Sequence, residues 1–215
     1  MIKLSSRRLN NFLSDPTGLI QMKMRFYALS LKKIISTSIC ACLCVIKGIQ
    51  IGSECAFYGI PLFVRVPHSR IIIGRGVTFR SDSTSNLIGV NHRCVISALY
   101  ENAVIEIGDR AGFSGVTIGC AKRVTICEEV MCGANVIITD TDWHNMNPSL
   151  RNKPFVESAK AVWIGKNVFI GASSMILKGV SIGENSVIGA GSVVTKDIPG
   201  NVIAGGNPCR VLKSL

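Results

Sequence analysis

The feature that most constrains the fold of this chain is an aliphatic residue that recurs every six positions near the C-terminus. The recurring positions are Ile164, Ile170, Ile176, Ile182, Ile188 and Val194. A period of six spreads residues around a helix instead of along one face, so an α-helix is excluded here. Three sixes make one triangular coil, and coils stacked about 4.8 Å apart bury one aliphatic row on each side. The pattern therefore predicts a parallel β-helix in which each residue stacks on the one eighteen positions later.

Looser forms of the same repeat extend the coils back to about residue 49. Apolar–Gly pairs begin at Ile51, Ile73 and Ile107. Irregular stretches predict imperfect coils or small loops at 57–70, 81–104 and 112–123. The largest interruption, near 145–160, predicts a protruding loop that carries function, because the coils on either side are complete without it.

A basic segment precedes the repeats. Residues 1–50 hold eight Lys and Arg and one acid, in a chain whose formal net charge is +11. The stretch Leu19 to Lys47 lacks Pro and Gly and predicts a helix. Its most apolar part, 34–46, is shorter than the roughly 20 residues that cross a bilayer. We expect the helix to pack on the protein or on a second subunit, or to lie on an anionic membrane surface.

The chain thus divides into a basic, largely helical segment, 1–48, and an all-β domain, 49–215. The nine cysteines include no CxxC pair and the chain shows no convincing secretory signal, which favours reduced thiols and a cytoplasmic location. No nucleic-acid recognition motif accompanies the positive charge, so nucleic acid is not expected as a partner.

The C-terminal part resembles a known family. The phrases Trp163-Ile164-Gly165, Val194-Thr195-Lys196 and 206–210 (Gly-Asn-Pro-Cys-Arg) are similar to those of maltose and galactoside O-acetyltransferases, which are hexapeptide-repeat acyltransferases. The phrase 140–144 (Asp-Thr-Asp-Trp-His) resembles O-acetyltransferases of polysaccharide biosynthesis. The resemblance covers about 49–213.

This resemblance implies a left-handed β-helix, a homotrimer, acetyl-CoA as acyl donor, no metal and a saccharide acceptor. The left hand comes from the resemblance alone, because the general rule for parallel crossovers favours the right hand. The acceptor is expected to be a surface-polysaccharide precursor or a related sugar, and the protein to be cytoplasmic, with peripheral contact at the inner membrane face.

His144 is the candidate general base. It stands where the coils open into the long loop, and the family's catalytic histidine occupies this position. Acetyl transfer to a hydroxyl needs a base that titrates near neutral pH, which an imidazole provides. Asp142 or Asp140 is expected to orient the ring, although a backbone carbonyl can do the same. Trp143 lines the acceptor pocket or packs the base of the loop.

The resemblance also implies residues that hold coenzyme A between two subunits. Ala172 and Ala190 offer backbone groups to the pantetheine arm, and Thr195, Lys196, Arg210 and Lys213 lie where the family binds the nucleotide phosphates. Ser114 aligns near the acetyl-site asparagine of galactoside acetyltransferases. Either Ser114 replaces that asparagine, or a backbone amide at this position serves as the hydrogen-bond donor to the oxyanion.

Two other functions remain open at this point. A non-catalytic β-helical scaffold would have the same repeats, since fold does not assign chemistry. A carbonic anhydrase-like enzyme would need three histidines at one metal, and His68, His92 and His144 are not suitably spaced for that.

Overall fold

A computed structural model describes residues 14–152 and 158–215. One helix, α1, precedes three parallel sheets that the chain visits in turn. Sheet 1 contains β1 (Gln50–Ile51), β4 (Arg70–Ile73), β7 (Val104–Ile107), β10 (Arg123–Ile126), β13 (Val162–Ile164) and β16 (Ser181–Ile182). Sheet 2 contains β2 (Ala56–Tyr58), β5 (Thr78–Arg80), β8 (Gly112–Ser114), β11 (Met131–Ala134), β14 (Phe169–Ile170), β17 (Val187–Ile188), β19 (Val202–Gly205) and the antiparallel β20 (Arg210–Ser214). Sheet 3 contains β3 (Leu62–Arg65), β6 (Val95–Ala98), β9 (Thr117–Cys120), β12 (Ile137–Thr139), β15 (Met175–Ile176) and β18 (Val193–Val194).

The predicted stacking register is confirmed. Each repeat residue faces the one eighteen positions later, in the pairs Ile164 with Ile182, Ile170 with Ile188 and Ile176 with Val194. All six are fully buried. In the earlier coils the inner row of sheet 2 is instead Phe57, Phe79, Phe113 and Cys132. Because every coil places one apolar side chain of sheet 2 on the next, stacking alone builds a continuous core.

Small residues at the turns complete this core. Ser174, Ser186 and Ser192 point inward and are at most 1% exposed. Their hydroxyls donate to the carbonyls of Gly189, Pro199 and Gly189, respectively. A buried hydroxyl needs such a partner. Ser174 and Ser186 each tie one coil to the next, and Ser192 closes the turn in which it lies.

The three edges of the prism are named here by the sheets that they join. Edge 1–2 carries Asn167, Asn185 and Asn201, all with positive φ. Their side-chain amides form a ladder, in which Asn167 donates to Asn185 and Asn185 donates to Asn201. Asparagine tolerates the left-handed conformation that the corner requires.

Helix α1 (Pro16–Ile46) is three residues longer at its start than predicted. Asp15 caps it by accepting from the Gly18 amide at 2.9 Å, and Pro16 occupies the first turn, where its missing N–H costs nothing. Ser36, Cys40 and Cys44 are buried against the first coil. Helix α1 therefore closes one end of the β-helix core.

The side of α1 turned away from the coils is apolar. Its exposed large side chains include Met24, Phe26, Tyr27, Leu31, Ile34, Ile35, Val45 and Ile46. By length and composition alone α1 is long and apolar enough to cross a bilayer, and most of its apolar stretch is exposed. The apolar stretch is therefore longer than 34–46, so its length does not argue against a span. The expectation that the helix packs on the protein is confirmed by the burial of Ser36, Cys40 and Cys44.

The prediction of imperfect coils at 57–70 and 112–123 is confirmed. Both stretches contain strands, but the coils there are longer than eighteen residues, and the pairing of β8 with β11 shifts register at Ser114. In the stretch 81–104, residues 81–94 leave the coils as a loop and β6 rejoins them. The functional loop runs from 140 to 161 and includes a short 3-10 turn at Pro148–Leu150. Residues 153–157 of this loop, and 1–13 of the basic segment, lie outside the described residues.

Candidate functional site

His144 leaves edge 3–1 just after β12 and is exposed. Its Nδ1 lies 3.4 Å from the backbone oxygen of Arg151, in the same loop. A ring that donates from Nδ1 to a carbonyl keeps its Nε2 unprotonated when neutral. This contact therefore selects the tautomer in which Nε2 is able to accept a proton.

Asp140 is bound to backbone, not to His144. Its carboxylate is completely buried and accepts from the amides of Ala121, Lys122 and Arg123 at 2.7–2.8 Å. The thiol of Cys120 also lies 3.4 Å from it. Burial, followed by the Asp140 charge, raises the pKa of the Cys120 thiol. Asp140 thus fixes the turn between β9 and β10 beneath the start of the functional loop.

Asp142 also has a partner other than His144. It forms an ion pair with the ammonium of Lys178, and both side chains are about a quarter exposed. Lys178 follows β15, one coil beyond Asp142 on edge 3–1. Neither predicted carboxylate contacts the imidazole in this structure; the Arg151 carbonyl does.

Trp143 packs on the outer face of sheet 3. It has positive φ, and its ring covers Gly119, where an added Cβ would lie 2.3 Å from Cζ2. The ring is still 40% exposed. Trp143 therefore packs the base of the loop and presents one side of its ring next to His144.

The residues suggested for coenzyme A fall on two edges. Ala172 and Ala190 lie one coil apart on edge 2–3, where Gly191 donates to the Ala172 carbonyl. Arg210 lies opposite Gly205 near the same edge. Thr195 and Lys196 instead follow β18 on edge 3–1, two coils from the start of the His144 loop.

Lys213, the last of these residues, pairs with Ile203 in the antiparallel strand β20. Lys196, Arg210 and Lys213 are all exposed, and none has an acidic partner among residues 14–152 and 158–215. Three cations without a carboxylate are thus available at this end of the β-helix.

Ser114 lies on edge 2–3 and is buried. Asn86, from the 81–94 loop, donates to its Oγ at 3.0 Å. Sequence reasoning missed Asn86 because 28 positions separate it from Ser114 and the loop interrupts the repeat. Ser114 and His144 leave the coils at opposite edges of sheet 3, so one chain does not present them at a common edge.

His68 and His92 are both exposed. His92 lies near two of the candidate residues, because its carbonyl is beside Gly115, which follows Ser114, and Thr117 is two residues from the Gly119 that Trp143 covers. His92 contacts Asn91 and Thr117, each at 3.0 Å, and His68 occupies a left-handed turn on edge 3–1. Within the described ranges, no three His, Cys, Asp or Glu side chains form a group that could hold a metal ion.

Comparison with known proteins identifies the repeats. The family described as the hexapeptide repeat of succinyl-transferase matches residues 161–196. The galactoside O-acetyltransferase of Lactococcus lactis is 49% identical over 115 residues, which are 54% of this chain and 54% of that protein. The polysialic acid O-acetyltransferase of Escherichia coli is 43% identical over 103 residues, which are 48% of this chain and 33% of that protein.

A solved structure extends the likeness of fold to most of the chain. It is a hexapeptide-repeat acetyltransferase from Vibrio cholerae in complex with acetyl coenzyme A, with a TM-score of 0.51 and 21% identity over 93% of this chain and 90% of that one. Residues 161–196 are hexapeptide repeats, and the resemblance of the chain to the hexapeptide-repeat acyltransferases is confirmed. It spans about half the length, or less, of the curated O-acetyltransferases that it matches.

Proposed function

We propose that this protein is an acetyl-CoA-dependent O-acetyltransferase that acts on a hydroxyl of a saccharide, such as a surface-polysaccharide precursor. The observation that carries the proposal is His144, which is exposed at the loop entrance with its Nδ1 at the Arg151 carbonyl. The names of the relatives, galactoside and polysialic acid O-acetyltransferase, support the reaction and the acceptor class.

In this reaction Nε2 of His144 takes the proton of the acceptor hydroxyl as its oxygen attacks the thioester carbonyl. The tetrahedral intermediate then collapses, the C–S bond breaks, and the imidazolium returns the proton to the leaving thiolate. The products are the acetyl ester and free coenzyme A. The Arg151 carbonyl stabilises the imidazolium, and an amide or hydroxyl near Ser114 serves as donor to the oxyanion.

The proposed roles of Asp140 and Asp142 are positional. Asp140 holds the turn beneath the loop, and Asp142, through Lys178, ties the loop to the next coil. Trp143 offers the exposed side of its ring to the acceptor, because a flat aromatic face suits the apolar side of a sugar ring.

Coenzyme A is assigned to the groove beside sheet 3. The backbone at Ala172 and Ala190 faces the pantetheine arm, and Thr195, Lys196, Arg210 and Lys213 receive the phosphates. Exposed cations without acidic partners suit phosphate. The Arg210 guanidinium is able to donate two parallel hydrogen bonds to a phosphate, whereas the Lys213 ammonium provides only a point charge.

A homotrimer of left-handed β-helices completes the site in this proposal. Ser114 and His144 leave opposite edges of sheet 3, so a second copy is needed to bring an edge 2–3 against an edge 3–1. A cyclic trimer gives three equivalent sites of this kind. Residues 49–215 form the catalytic domain, and 1–48 form an accessory segment.

The accessory segment is proposed to rest on the cytoplasmic face of an anionic membrane. The outward side of α1 is apolar, and Lys23 and Lys33 are exposed on the same helix. A helix with this distribution lies in the membrane interface, with its lysines reaching the headgroups.

The test of the proposed function is His144→Ala, with His68→Asn as the control. Turnover, followed by mass spectrometry on a panel of saccharides with acetyl-CoA, should fall about 10²–10⁴-fold in His144→Ala. Binding of coenzyme A should survive, because the phosphates are held elsewhere. Unchanged turnover in His144→Ala would rule out His144 as the general base. A wild-type protein that binds no coenzyme A would instead be a non-catalytic scaffold.

A further inference from the structure

The outer face of sheet 2 has a gap in an otherwise continuous row of side chains. Thr78, Gly112, Met131 and Phe169 stack in one row across neighbouring strands. Gly112 contributes no side chain, and a Cβ there would come within 2.9 Å of the Met131 sulfur. A cavity of about 200 Å³ lies at this point, and Thr78, Arg80, Arg110, Ser114 and Met131 are among its lining residues.

Arg80 stands beside the gap, in the adjacent row with Tyr58 and Ser114. Its Nη1 donates to the Ser85 carbonyl at 2.7 Å, and its guanidinium carbon lies 4.6 Å from the centre of the Tyr58 ring. These contacts hold the guanidinium in place and leave its other N–H groups for a ligand. Across the described part of the chain, no Asp or Glu forms an ion pair with Arg80.

The other walls of the cavity add polar groups but no negative charge. Arg110 lies on the opposite side, paired with Glu129 at 3.0 Å, and no acidic side chain lines the cavity within the described ranges. Ser114 accepts from Asn86 and keeps its own hydroxyl proton for donation. A fixed guanidinium without a carboxylate, flanked by hydroxyls, is the donor set that binds a carboxylate or phosphate in two-pronged geometry.

We infer that this cavity binds an anionic group of the saccharide acceptor, a carboxylate or a phosphate, so that the enzyme selects acidic over neutral sugars. The inference rests on the proposed function, because Ser114 ties the cavity to the acetyl site. It assigns to Arg80 a role in specificity that neither the repeats nor the His144 loop provides.

Equilibrium binding to the full-length protein tests this inference with three related ligands. Methyl glucuronide carries a carboxylate, glucose 1-phosphate carries a phosphate, and methyl glucoside carries neither. At low salt, at least one anionic ligand should bind about tenfold more tightly than the glucoside, as a charge-assisted pair provides. The ligand with the larger preference identifies the anion, and the preference should weaken as salt rises.

Arg80→Gln should abolish this preference, whereas Arg70→Gln, which removes an equal charge on sheet 1, should keep it. Arg80→Lys should keep only part of it, because the lysine lacks the fork, and Gly112→Val should block the cavity for all three ligands. Equal affinity for the three ligands, no detectable binding of either anion, or equal losses in Arg80→Gln and Arg70→Gln would overturn the inference. Coenzyme A binding, measured in parallel, reports on the proposed function separately.

Discussion

At the scale of single residues, Asp140 shows how a sequence motif and a structural role come to be confused. The phrase Asp-Thr-Asp-Trp-His places a carboxylate four residues before the candidate base, a spacing that suggests an orienting partner. The structure instead uses this carboxylate to satisfy three amides of a turn that the chain passed about twenty residues earlier. A contact between neighbouring coils joins residues about twenty positions apart and leaves no local signal, so sequence reasoning could not find it.

Asp140→Asn should destabilise the protein by about 2–4 kcal/mol, because an amide NH₂ would then face backbone N–H groups that lose their acceptor. Chemical denaturation measures this loss. The matched control is Asp142→Asn, whose ion pair with Lys178 is partly exposed and should contribute about 1 kcal/mol or less. Equal losses in the two variants would contradict the structural role of Asp140.

At the scale of elements, α1 stabilises the end of a stack that would otherwise expose unpaired strand groups. Ser36 Oγ accepts from the Gly59 amide and Thr37 Oγ1 accepts from the Phe57 amide, both at 3.1 Å. Cys40 and Cys44 fill the end of the core. Small and polar residues thus face the protein while large apolar residues face away, the reverse of an ordinary surface helix.

Ser36→Ala should lower the free energy of unfolding by about 1–3 kcal/mol, since it leaves the Gly59 amide without its acceptor. Ser38→Ala is the control two residues away, because Ser38 is exposed and bonds only within the helix, to the Ile34 carbonyl. Its effect should stay within about 0.5 kcal/mol. A Ser36 variant as stable as the Ser38 variant would mean that the helix does not cap the coils in this way.

The same elements show what the sequence could predict. The stacking partners of the repeat residues from Ile164 to Val194 were predicted correctly, because an exact period of six determines both the side on which a residue lies and its neighbour in the next coil. An imperfect coil was predicted at 112–123, but the bounds of β8 and β9 were not, because Gly112 and Ser114 occupy positions without a large side chain. Asn86 and Lys178 were missed as well, because their contacts join separate turns. Periodicity therefore predicts the core, but not the contacts along the edges.

At the scale of the whole molecule, the separation of Ser114 from His144 requires an assembly if both serve one reaction. Light scattering should give three times the 23.1 kDa of one chain, and this mass should persist on dilution through the range used for assays. A mass near one chain under assay conditions, with turnover retained, would contradict a site shared between copies.

Membrane contact is testable through the cysteines of α1. Cys42 is exposed, whereas burial raises the pKa of Cys40 to about 12 and that of Cys44 to about 11. At pH 8 an alkylating reagent should therefore label Cys42 and leave Cys40 and Cys44 as internal controls, because protonated, buried thiols react slowly. Vesicles rich in phosphatidylserine should protect Cys42 and float the protein, and salt should reverse both effects.

Charge reversal separates lipid docking from packing. Lys23→Glu with Lys33→Glu should weaken flotation, whereas Arg70→Glu with Lys122→Glu, an equal change of charge away from α1, should weaken it less. Equal flotation of the two double variants, or unprotected Cys42 on floated protein, would rule out docking through this helix.

Because each coil rises by the same distance, residues that follow successive strands of sheet 3 are spaced at equal intervals along edge 3–1. The His144 loop, Lys178 and Lys196 follow three successive strands of sheet 3, so about 10 Å of rise separates the first from the last. Adding or removing a coil between them would change this length by one step of about 4.8 Å without disturbing the core. If Lys196 holds a phosphate of coenzyme A and His144 is the base, as proposed, then the number of coils between them sets how long the pantetheine arm must be to reach the base.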